Sequence, residues 1–258
     1  MSTNGGGENI IVAEGLTKRY DNVAAVDDIS FNVGRGEIFG MLGPNGAGKT
    51  TTVEILEGLR VADEGNAVVA GVDVKKDPKK VKSLIGVQLQ TAAFFDHLTL
   101  SETIALYGKL YGIDVNPDEI LEKVELVEKR KSTYAKLSGG QKQRLSVAIG
   151  LVNKPVVLFL DEPTTALDPQ ARRHMWELVD KIREDGTTIM LTTHYMEEAE
   201  ELCDRVAIVD KGKIVAMDTP DTLIDQLVDS GFRGSHRVRE ASLEDVFIHL
   251  TGRSLRDE

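Results

Sequence analysis

Two glycine-rich stretches carry the first chemistry in this chain, "GPNGAGKT" at 43–50 and "LSGGQ" at 137–141. In the first, Gly43, Gly48, Lys49 and Thr50 satisfy the spacing G-x-x-x-x-G-K-[ST], with Pro44, Asn45, Gly46 and Ala47 between them and Thr51 after. Glycines let backbone N–H groups curl around phosphate oxygens, and a helix N-terminus adds positive potential. Lys49 is then placed to reach the β- and γ-phosphates of ATP, and the Thr50 hydroxyl to ligate Mg²⁺. A chance Gly-rich turn ahead of a helix is the plain alternative. Four fixed positions matched across eight residues, between a strand-like and a helix-like segment, argue against it.

"VVLFLDEP" at 156–163 adds acids to the phosphate loop. An apolar strand delivers Asp161 to its C-terminal end, where open α/β sheets bind ligands. Asp161 is a candidate Mg²⁺ ligand. Glu162 is the better general base, able to orient a water and accept its proton. The competing reading is structural, since Asp-Glu-Pro also suits the first turn of a helix. In "LSGGQ", Ser138, Gly139, Gly140 and Gln141 open a helix and form a second anion site. That site could serve the same phosphates if the fold brought it back, or the ATP of a partner chain. Spacing leaves both open.

The elements that must position these residues read as an α/β alternation. Residues 37–42, 156–160 and 187–191 are strand candidates, and 49–59 is a helix candidate. Residues 205–217 read as a hairpin turning at Lys211–Gly212. A helical block over about 98–153 interrupts this pattern. In it, Asn116 caps a helix with Pro117 at its first position, and Ile120, Val124 and Val127 share a face. Leu145, Ile149 and Val152 share another. Near the end, Ser242 and Asp245 have capping-box spacing, and Leu243, Val246, Phe247 and Leu250 form an apolar stripe expected to cover core surface.

Composition excludes some classes. The 258 residues carry a net charge of −11, which disfavours nucleic acid or an anionic membrane as a broad partner, though not a local basic patch. The longest apolar runs are far shorter than the roughly 20 residues that span a bilayer. The start, "MSTNGGGEN", has neither the basic nor the apolar region of a signal peptide and reads as a flexible tail. Cys203 is the only cysteine, which removes intrachain disulfides and Cys-based metal sites, and it is expected to be a buried hydrophobe.

Together with "TALD" at 165–168 and "TTH" at 192–194, these motifs in this order resemble the nucleotide-binding domain of ATP-binding cassette (ABC) proteins, from about Asn9 to Met217. The resemblance implies a P-loop NTPase (RecA-like) α/β core with an antiparallel β subdomain and an inserted helical subdomain at about 91–153. It implies a tail at 1–8, an ATPase domain over 9–220 and a short C-terminal extension over 221–258. It further implies that two such domains pack head-to-tail, each ATP lying between one chain's phosphate loop and the other's "LSGGQ". Tyr20 matches the aromatic that stacks on adenine, and His194 the histidine that contacts the γ-phosphate. Gln90, rather than Gln88, matches the glutamine that senses Mg²⁺ and water beside the membrane partner. Asp168 matches the loop lining the dimer seam. The stretch 193–220 and "SLEDVFIHLTG" at 242–252 resemble ATPase subunits of drug- and polysaccharide-type exporters, of the daunorubicin-resistance kind. Those work with a separate multi-spanning ABC-2-type permease at the cytoplasmic side of the cell membrane. The competing expectations are a soluble ABC ATPase acting on ribosomes or DNA, and a small-molecule phosphoryl transferase, which would not need "LSGGQ".

Overall fold

Alternate residues of the apolar runs face opposite ways and build two separate cores. The computed structural model describes residues 8–88, 94–231 and 243–251. Two long strands come first, β1 (Asn9–Tyr20) and β2 (Val23–Gly34), followed by β3 (Ile38–Leu42) and helix α1 (Lys49–Leu56). Next come β4 (Glu64–Val69), β5 (Val72–Asp73), α2 (Pro78–Leu84) and β6 (Ile85–Gln88). The helices α3 (Leu100–Leu110), α4 (Pro117–Lys123) and α5 (Gly139–Leu151) follow. The chain returns to the sheet with β7 (Val157–Asp161), α6 (Pro169–Glu184), β8 (Thr188–Thr193), α7 (Met196–Leu202), β9 (Arg205–Asp210) and β10 (Lys213–Asp218). Two helices close it, α8 (Pro220–Asp229) and α9 (Leu243–Thr251).

Six strands form one sheet in the order β10-β9-β3-β8-β7-β6, parallel except for the edge strand β10. Ile38, Leu42, Leu158, Leu160, Ile189, Leu191, Val206 and Ile208 point into a core shared with α3 to α9. Their neighbours Phe39, Met41, Val157, Phe159, Met190, Ala207 and Val209 point the other way, into a core shared with α1 and β1, β2 and β4. A period of two with both faces buried is what a parallel sheet covered on both sides requires. The second sheet, β2-β1-β4-β5, is antiparallel.

Local signals place most boundaries. The β9–β10 hairpin turns at Lys211 and Gly212, both left-handed (φ 49° and 78°), the backbone a two-residue hairpin needs. Asn116 caps α4 by accepting from the Asp118 N–H, with Pro117 at the first helical position. Two expectations are corrected. Helix α1 ends at Leu56 instead of Leu59, because Gly58 turns left-handed (φ 66°). Helix α4 stops at Lys123, so Val127 lies in a separate 3₁₀ turn beyond Glu125, itself left-handed (φ 55°). Leu243, Val246 and Phe247 of α9 are buried while Leu250 is 43 % exposed. The proposed cap Ser242 lies outside the described residues.

Candidate functional site

Strand β3 runs straight into the phosphate-type loop, and α1 leaves it. Gly48 has φ 102°, and a Cβ there would sit 2.2 Å from the Ala25 carbonyl oxygen; at Gly43 it would sit 2.2 Å from that of Val209. Only glycine fits either position. The Gly43 N–H donates to the Thr193 carbonyl (3.3 Å), and the Gly212 N–H to that of Ala47 (2.9 Å), so β8 and the β9–β10 turn hold the loop. Lys49 is only 5 % exposed, and its Nζ donates to the carbonyls of Gly43 (2.6 Å) and Pro44 (2.8 Å). Thr50 is exposed in the first turn of α1. Tyr20 pairs with Val23 across a tight turn, and Ala25, two residues on, touches the loop at Gly48. Tyr20 is 40 % exposed, with the charges of Lys18 and Arg60 at 5.8 and 5.6 Å from the centre of its ring.

Asp161 ends β7 and accepts from the Thr192 hydroxyl of β8. Glu162 follows on left-handed backbone (φ 49°), its N–H bonded to the Thr192 carbonyl (3.1 Å). Its carboxylate meets His194 Nδ1 at 3.1 Å through Oε1 and accepts from the Thr165 hydroxyl at 3.0 Å through Oε2. The His194 bond holds Glu162 below the ordinary carboxylate range against the opposing effect of burial, with Thr165 and the Lys49 charge helping. Asp161 shifts the other way. Burial raises it, against the Thr192 bond, while Glu162 adds to the rise and Lys49 opposes it. Lys49, Asp161, Glu162 and His194 thus form one electrostatic cluster. The helix-start reading of Asp-Glu-Pro fails, since the helix begins only at Pro169, capped by Asp168.

Sequence reasoning missed Glu57, which sits at the C-terminal end of α1 and is buried. Burial first, then the charges of Asp161 and Glu54, push its carboxyl from 4.5 up to about 8. A folded value above the unfolded one favours the protonated form. Stability from this group is therefore complete below pH 4.5, falls as pH rises, and levels off above about pH 8. At ~1.4 kcal/mol per unit this amounts to at most on the order of 5 kcal/mol. In EDTA, Glu57→Gln is expected to raise the melting temperature more at pH 8.5 than at pH 5.5. An equal change at both values contradicts the assignment.

The "LSGGQ" residues lie elsewhere. Ser138 caps α5, its Oγ accepting from the Gln141 N–H (3.3 Å) while the Gln141 Oε1 accepts from the Ser138 N–H (3.1 Å). Ser138, Gly139, Gly140 and Gln141 line an open depression of about 490 Å³ shared with Asp168 and Arg144. Among the described residues lining it, none comes from 43–51. The Asp168 Oδ1 accepts from the N–H groups of Gln170 (3.0 Å) and Ala171 (2.9 Å), so its carboxylate caps α6 at the rim of that depression.

Gln90 lies outside the described residues. Beyond that gap, Phe94 packs against Tyr107 and Tyr134, whereas Phe95 is 66 % exposed. Cys203 is buried beneath Gly40, its thiol pushed well above the ordinary value by burial. That is a packing role. The two oxygen groups, Thr50 and Asp161, beside a glycine cradle and a lysine suit a triphosphate carrying a hard cation such as Mg²⁺, which needs only one or two protein oxygens.

A parallel sheet with this loop at the head of α1 and acids at the end of β7 defines a P-loop ATPase. Residues 26–165 match the family described as ABC transporter. The chain belongs to that family, and it is an ATP-binding ATPase whose hydrolysis is coupled to transport. It is 40% identical over 257 residues to the linearmycin resistance ATP-binding protein LnrL of Bacillus subtilis (strain 168), covering 93% of this chain and 82% of that protein. It is 43% identical over 216 residues to the daunorubicin resistance ATP-binding protein DrrA2 of Streptomyces coeruleorubidus, covering 82% and 67%. The fold matches a dimeric, post-hydrolysis structure of the ATP-binding cassette MJ0796 bound to ADP and Pi, with TM-score 0.72, 25% identity, and coverage of 81% and 98%.

Proposed function

We propose that this chain is the ATP-hydrolysing subunit of an exporter, and that two copies close head-to-tail around ATP to drive a separate multi-spanning permease at the cytoplasmic side of the membrane. The carrying observation is the separation of the two glycine loops. The "LSGGQ" depression contains no residue of the phosphate loop, so a second chain is the natural source of its nucleotide. A dimeric relative and relatives named for drug resistance support this reading. So does the lack, among the described residues, of any helix long and apolar enough to cross a membrane.

In this reading the backbone of 43–48 and Lys49 grip the phosphates, Tyr20 stacks on adenine, and Thr51 follows the phosphates into the helix. Thr50 and Asp161 would hold Mg²⁺, which would supply positive charge to the phosphate oxygens, and Gln90 would sense that ion and the water. Glu162, kept ionised by His194, orients water and takes its proton. Thr165 and His194 fix that carboxylate from both sides. His194 also reaches toward the γ-phosphate. Ser138 and the Gly140 N–H of the opposite copy complete the anion cage, with Gln141 holding the cap in shape and Asp168 lining the seam. Phe95, which is exposed, would contribute to the surface that meets the permease.

Glu162→Gln trapped with Mg-ATP in gently solubilised host cells tests the proposal. A multi-spanning membrane protein recovered in near-equal amount is the expected result. Ribosomes or DNA complexes in its place would overturn the transport reading in favour of a soluble ABC ATPase.

A further inference from the structure

Behind Glu162 and His194 lies a buried carboxylate that none of the motifs accounts for. Glu198 of α7 is fully buried. Its Oε1 accepts from the Thr164 hydroxyl (2.7 Å) and from the Trp176 indole N–H (3.2 Å), and the Arg172 charge acts on the same group. Thr164 stands two residues after Glu162, and α7 itself begins two residues after His194. One carboxylate, on the helix that follows His194, therefore ties the Glu162 loop to α6.

The loop it holds is strained. Glu162 and Ala166 both have left-handed backbone (φ 49° and 62°), an arrangement that non-glycine residues adopt only when their surroundings over-determine it. Thr164 sits midway between them, and its bond to Glu198 anchors that segment from behind, as the His194 contact does at Glu162. Core stability alone does not explain a carboxylate here. Burial raises the Glu198 carboxyl, and an apolar residue of similar volume is often at least as stabilising in such a place.

Taking Glu162 as the general base, as the proposed function does, we infer that Glu198 is a positioning residue, holding the Glu162 loop in register with α6 and with the helix behind His194 through Thr164 and Trp176. It acts on turnover and not on nucleotide affinity. Trp176 is the chain's only tryptophan, so its fluorescence reports the state of this staple directly.

Glu198→Ala is expected to lower kcat by roughly tenfold to a hundredfold, the scale of a ~1 Å misplacement, with the ATP Kd changed less than about threefold and the Trp176 emission shifted. Glu198→Gln keeps an acceptor oxygen for Thr164 and Trp176 and is expected to restore most of the turnover. Thr164→Val, which leaves the Trp176 bond in place, is expected to lower kcat with little change in emission, and it carries the test if Glu198→Ala does not fold. In a His194→Ala background, loss of Glu198 should add little. A folded Glu198→Ala or Thr164→Val protein with undiminished kcat overturns the inference, provided Glu162→Gln is inactive. If Glu162→Gln itself still turns over, the underlying reading of the site has failed instead.

Discussion

Glu162→Gln is expected to reduce ATP hydrolysis by about three orders of magnitude while leaving ATP affinity within a few-fold, as loss of a general base does. The geometry is specific about why. Glu162 is held by His194 at 3.1 Å and Thr165 at 3.0 Å, and the His194 bond keeps it ionised and ready to accept a proton. An amide can be held in much the same place but cannot take that proton. Single-turnover hydrolysis measured beside equilibrium ATP binding separates the two effects. A variant that hydrolyses ATP at a tenth of the wild-type rate or faster would show that another group, Asp161 being the nearest acid, serves as base. A variant that loses binding would mean that Glu162 holds the loop together rather than reacting.

Lys49→Ala is expected to abolish measurable ATP binding, weakening it by roughly a hundredfold or more. Nζ now donates to the carbonyls of Gly43 and Pro44 inside a nearly closed loop. Those bonds fold the ammonium over the cradle, where phosphate oxygens can take over from the carbonyls. Charge-assisted hydrogen bonds contribute ~1.5–3 kcal/mol each, and two of them account for the expected loss. Thermal unfolding gives the readout. ATP at about 100 times the wild-type Kd should stabilise the wild type by ~2.7 kcal/mol and Lys49→Ala by no more than ~0.4 kcal/mol. Equal stabilisation of both proteins would place the nucleotide elsewhere.

Much of this site is legible in the amino-acid sequence because its chemistry lies in short, fixed spacings. The loop at 43–50, the acids after "VVLFL", the hairpin at Lys211–Gly212, the cap at Asn116 and the helix opened by "LSGGQ" each depend on a few adjacent residues. What the sequence hides depends on the fold. The pairing of β1 with β2 breaks register between Ala13 and Leu16, around left-handed Gly15, so β1 never shows the clean alternation that marks a strand. Helix α4 keeps its apolar period past its end because left-handed Glu125, not a proline or glycine, redirects the chain. Glu198 sits among three other glutamates in α7 and is the buried one of the four. A run of acids reads as a solvated helix face, and only packing against Trp176 and Thr164 distinguishes one member. Asp168 belongs to a recognisable "TALD" motif, yet its capping of α6 emerges only from the backbone.

Whether the two glycine loops meet across two chains is best tested by the solution mass of Glu162→Gln with and without Mg-ATP, measured by light scattering. The prediction is a chain of 28.2 kDa without nucleotide and twice that mass with it. A protein that binds Mg-ATP and remains a monomer at every accessible concentration would contradict the head-to-tail dimer.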